Sequence, residues 1–110
     1  MSASGQSQAH GKVNGTPQGD FELDTRTSAD ENLLGKGRIN PTTPTWQSLN
    51  VAVEYENDDQ VSGKHPFTGH IGMYDFEMNL SNGVKMSGPL TIPLDKRTTI
   101  QGSMTWGSSG

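Results

Sequence analysis

The sequence predicts an all-β domain, a small antiparallel β-sandwich or barrel of six to seven strands with a flexible N-terminal arm. Three observations carry that expectation. Apolar and polar residues alternate at period two in several stretches, the mark of strands with one buried face. Gly and Pro, 14 and 6 of the 110 residues, interrupt the chain too often for long helices. Asn82-Gly83 stands between two alternating runs, a strong local signal for a hairpin.

Residues 1–20 are mostly Ser, Gly, Gln, Asn and Ala, with Val13 the single apolar β-branched side chain. Such a segment is expected to remain a flexible arm because it buries too little to offset the entropy of ordering. Deleting residues 1–18 should then leave the melting midpoint unchanged. Gly107–Gly110 reads as a second flexible tail, and one β-domain is expected over residues 21–106. Nineteen residues are Leu, Ile, Val or Phe, and eighteen of them lie between Phe21 and Trp106. That span has room for one core only.

Phe21–Thr27 and Leu33–Asn40 are weaker strand candidates, the second softened by Gly35 and Gly37. Between them Ser28-Ala29-Asp30-Glu31 fits a capping box, so a turn or a short helix joins the two strands. Leu49, Val51, Val53 and Tyr55 alternate with polar partners and are expected to face inward. Ile100, Met104 and Trp106 do the same near the C-terminus, with Gly102 in the remaining inward slot.

The hairpin fixes its own loop length. A two-residue loop would put Phe76, Met78 and Leu80 on the face opposite Val84, Met86 and Leu90. A three-residue loop, Ser81-Asn82-Gly83 with Gly83 left-handed, pairs Leu80 with Val84, Met78 with Met86, Phe76 with Gly88 and Tyr74 with Leu90. Every apolar residue then shares one face, the condition that sets register. In this register Pro89 and Pro93 turn away from the partner strand, which predicts an edge or a bend there. The last strand is then expected to cross to another sheet after Asp95-Lys96-Arg97.

A net charge of −4 and a pI near 5.1 argue against binding nucleic acid through phosphates and against anionic membranes. No apolar run reaches the ~20 residues needed to span a bilayer, and residues 1–20 lack a signal-peptide core. A soluble protein, cytoplasmic by default, is the expectation. The absence of Cys removes disulfides and thiolate chemistry.

His65 and His70 flank Pro66-Phe67-Thr68-Gly69, and Asp75 and Glu77 share one face of the next strand, so these are candidates for a metal or acid/base cluster. Their spacing does not force the convergence that a zinc site needs. Glu56-Asn57-Asp58-Asp59-Gln60 is an oxygen-rich loop without the spacing or glycine of an EF-hand. Gly35-Lys36-Gly37 is too short for a phosphate loop, and no nucleophile elbow is present. Asn14-Gly15-Thr16 and Asn79-Leu80-Ser81 match the glycosylation pattern. No catalytic constellation emerges, and neither a cofactor nor a metal is expected.

Trp106 and Tyr74 fall on inward faces, whereas Trp46 follows the Pro41–Thr45 loop, where exposure is easier. The expected ligand-binding residues are therefore Trp46, Asp58, Asp59, His65, Phe67 and His70. Together they predict a non-enzymatic binding module that recognises a protein or glycan partner through loops or a sheet edge. Two rival expectations are an assembly component joining copies through an open β-edge and a barrel carrying an apolar ligand.

Overall fold

The computed structural model describes residues 7–107, with residues 1–6 and 108–110 outside the described residues. Eight strands follow one another: β1 Ser7–Gly15, β2 Asp20–Thr27, β3 Asn32–Asn40, β4 Trp46–Tyr55, β5 Gly63–Ile71, β6 Asp75–Leu80, β7 Lys85–Pro89 and β8 Thr98–Gly107. A 3-10 turn, Asp58–Val61, lies between β4 and β5. Around the molecule the order is β1-β2-β3-β8-β5-β6-β7-β4, and the ring closes where β4 pairs with β1. All neighbours are antiparallel. Read in halves, the order is 4-1-2-3 followed by 8-5-6-7, two Greek keys of the same topology.

The all-β class holds, but the count is eight strands in a closed barrel, not six to seven. The strands missing from the sequence reading are β1 and β5. The arm expectation fails over Ser7–Gly15, because this segment pairs with both β2 and β4 and closes the ring. Its inward positions are Ala9, Gly11, Val13 and Gly15, small enough to escape an apolar pattern and to admit close neighbours. A Cβ on Gly11 would strike the Asp24 carbonyl, and one on Gly15 would strike the Trp46 indole. Gly107, assigned to a tail, ends β8.

The Ser28–Glu31 capping box resolves as a turn. Thr27 Oγ1 accepts the Glu31 amide, and Asp30 adopts a φ of 66°. Helix loses because two paired strands begin and end within two residues of it.

The hairpin register agrees with the three-residue loop. Met78 pairs with Met86 and Phe76 with Gly88, the Leu80 amide donates to the Val84 carbonyl, and Gly83 has a φ of 102°. β7 is not an edge, since it also pairs with β4, though only over Ala52–Glu54 and before Pro89 is reached. β8 leaves β7 and lies between β3 and β5, on the far side of one closed barrel and not in a second sheet.

Side chains fill the interior. Phe21 packs on Trp46 and Phe67 with ring centroids 6.3 and 5.7 Å apart, and Trp46 packs on Phe76 at 5.2 Å. Trp106 is buried near the other end. Connections β1–β2, β3–β4, β5–β6 and β7–β8 gather at one end of the barrel, termed the loop end. At the opposite end lie the β2–β3 turn, the 3-10 turn and the β6–β7 hairpin. No helix among the described residues is long and apolar enough to cross a membrane.

Candidate functional site

Two of the expected binding residues belong to the core. Trp46 is 2% exposed and Phe67 3%. Trp46 turns inward because β4 holds one extra residue: Gly11 pairs with Val51, but two residues on, Val13 pairs with Ser48. Trp46 and Ser48 thus face inward on one side of the irregularity, and Val51, Val53 and Tyr55 do so on the other. Leu49, expected inside, is pushed out to 61% exposure.

His65 and His70 do not meet. Both lie on β5, about 17 Å apart along an extended strand, and their odd separation puts them on opposite faces. His65 Nε2 lies 2.7 Å from the Ser62 carbonyl, at the end opposite the loop end. Among the described residues no group of three His, Asp or Glu side chains is placed to hold a metal.

The oxygen-rich loop is a cap. Asn57 Oδ1 accepts the Asp59 amide at 3.1 Å, and Gln60 Oε1 accepts the Glu56 and Asn57 amides at 2.6 and 3.2 Å. Two of the oxygens that made the segment look like a calcium loop are thus committed to its own backbone. Asp58 opens the 3-10 turn, and Asp59 is exposed within it.

At the loop end, His70 is held on both nitrogens. Nε2 lies 2.9 Å from Asp75 Oδ1, and Arg97 Nη2 lies 3.3 Å from Nδ1. A guanidinium has no acceptor, so Nδ1 accepts the hydrogen bond from Arg97 and Nε2–H donates to Asp75. Neither nitrogen is left to activate a nucleophile. Glu77, which shares the face of Asp75, pairs instead with Lys85 at 3.8 Å.

The same end carries what the alternation pattern missed. Leu49, Met73, Tyr74 and Ile92 are the large apolar side chains exposed among the described residues, at 61%, 42%, 67% and 74%. Backbone hydrogen bonds gather them around one segment: the Leu90 amide donates to Tyr74, Thr91 to Gln47 and Leu94 to Met73. Leu49 follows Gln47 by two residues, and Ile92 lies within the segment. Tyr74, expected inside, is outside because the hairpin ends at Asp75, beyond a turn closed by the Gly72 amide on the Asp75 carbonyl. Beside this patch the Pro41–Thr45 loop and Pro93–Thr98 enclose a cleft of about 260 Å³ lined by Thr42, Thr43, Pro44, Pro93, Leu94 and Lys96 among others. The signal for the patch was available: Ile92 lies between Pro89, where β7 ends, and Pro93.

No protein-family model, curated protein or solved structure matches the chain.

Proposed function

We propose that the protein is a non-enzymatic interaction module whose recognition surface is the loop end of the barrel, and that its partner is another protein. One observation carries this reading: of the exposed large apolar side chains, Ile92 lies within Leu90–Leu94, Met73 and Tyr74 accept backbone hydrogen bonds from that segment, and Leu49 is two residues from Gln47, which does the same. Exposed apolar clusters with a polar rim mark sites of protein association, and Tyr and Met are enriched there. The rim here is Asp95, Lys96 and the Arg97–His70–Asp75 chain. The engagement of both His70 nitrogens supports a rim role for that residue in preference to catalysis.

The test places a photo-crosslinking residue at Ile92 and, separately, at exposed Lys12 on β1, and then measures affinity for any protein captured at position 92 alone. Binding by the Tyr74→Glu/Ile92→Glu variant should be weaker by about tenfold or more. Equal affinity of variant and wild type, or the same captured protein at both positions, refutes the reading. Assembly of copies through a β-edge has less support, since every strand is paired on both sides. Carriage of an apolar ligand has less support too, since packed rings occupy the interior.

A further inference from the structure

The chain has twelve acidic residues, yet three adjacent strands have none. β3, β8 and β5 stand side by side and contain Lys36, Arg38 and Lys64 without a single Asp or Glu. Both flanking strands are acidic: β2 carries Asp20, Glu22 and Asp24, and β6 carries Asp75 and Glu77. In a molecule of net charge −4 this arc is a positive stripe between negative borders.

Register sets the stripe's geometry. Thr105 pairs with Lys36 on one side and Lys64 on the other, so the two lysines flank its outward side chain. The next outward row is Arg38, Ser103 and Pro66, and the next Asn40, Gln101 and Thr68. Lysines two strands apart are separated by roughly 10 Å, and Lys36 and Arg38 by roughly 7 Å along β3. Short Ser and Thr side chains on β8 between longer ones on its neighbours produce a groove of about 630 Å³, lined by Lys36, Arg38, Lys64, Ser103 and Thr105 among others. Arg38 is bound to Asp20 at 3.0 Å, and Glu22 stands opposite Lys36 in β2. Among the described residues neither lysine has an ion pair.

We infer that this outer face binds an acidic polysaccharide along β8. Charge complementarity selects an anionic occupant, and the hydroxyl and amide row of Asn40, Thr68, Gln101, Ser103 and Thr105 suits a chain rich in hydroxyls. Phe67 and Trp106, the Phe, Tyr or Trp residues on these strands, are buried, so the face offers no ring on which bases stack. It also lacks the exposed apolar anchors of a protein interface.

The test titrates heparin and polygalacturonate into the wild-type protein by calorimetry at low ionic strength. Lys36→Gln/Lys64→Gln and a control, Lys12→Gln/Lys85→Gln, are titrated beside it, and thermal melts verify that all are folded. Wild type and control should bind at least one of the two polymers, and the groove variant about tenfold or more weaker, as the loss of two exposed charge contacts requires. Added salt should weaken the wild-type binding. Three results overturn the inference: no binding of either polymer, equal weakening in both variants, or equally tight binding of an oligothymidylate.

Discussion

Gln60 and Asn82 exchange hydrogen bonds between the 3-10 turn and the β6–β7 hairpin. Gln60 Nε2 donates to the Asn82 carbonyl at 2.9 Å, and Asn82 Nδ2 donates to the Gln60 carbonyl at 2.9 Å. Gln60 Oε1 also receives the Glu56 and Asn57 amides. One side chain thus folds its own turn and clamps it to a neighbour. Gln60→Ala should cost about 1–3 kcal/mol, because it leaves backbone groups without partners. The urea midpoint measures this, and faster proteolytic cleavage between residues 56 and 62 should accompany it.

Gly83 holds a φ of 102° in the hairpin loop, a region closed to β-branched side chains. Gly83→Val is expected to destabilise the barrel by about 1–3 kcal/mol. Gly83→Asn, which tolerates left-handed backbone better, should cost less. Denaturant melts of the pair rank them, and a Val variant as stable as wild type would contradict the loop.

Truncation separates the sequence expectation from the structure. Removing residues 1–18 deletes β1, which pairs with β2 and β4 and buries Ala9 and Val13. The ring opens and both former neighbours gain unpaired edges. The truncated chain is expected to lose its cooperative thermal transition and to aggregate, read by circular dichroism and size-exclusion chromatography.

Trp46 and Leu49 reverse their expected roles, exposure beside the Pro41–Thr45 loop for Trp46 and an inward place by alternation for Leu49. Trp46→Ala should cost about 3–5 kcal/mol, whereas Leu49→Ala should stay within about 0.5 kcal/mol. Trp46→Phe should fall between, since it empties volume but also removes a buried Nε1 that has no hydrogen-bond partner. Equal costs for Trp46→Ala and Leu49→Ala would refute the shifted register of β4.

The sequence was legible where turn chemistry and alternation agree, as they do from Phe76 to Met86. It was silent where inward positions are small. Ala9, Gly11, Val13 and Gly15 make a strand that is needed for closure, yet they show almost no hydrophobic pattern. Pro66, Gly63 and Gly69 likewise disguised β5 as a loop. One extra residue in β4 inverted the reading of Leu49, because a single-residue slip exchanges the faces of a strand. The patch at the loop end escaped because Leu49 and Tyr74 were counted as interior, Leu49 through that slip and Tyr74 because the hairpin ends at Asp75, and the acid-free arc became visible only once β3, β8 and β5 were seen to be neighbours.

The two Greek keys meet along two seams of unequal length. β3 and β8 share seven paired positions, Leu34–Asn40 with Gly107–Gln101, whereas β4 and β7 share three. The barrel is in this respect a book: β3–β8 is its spine, and β4–β7 is the fore-edge. The cationic groove thus runs along the spine, the more extensively paired of the two seams.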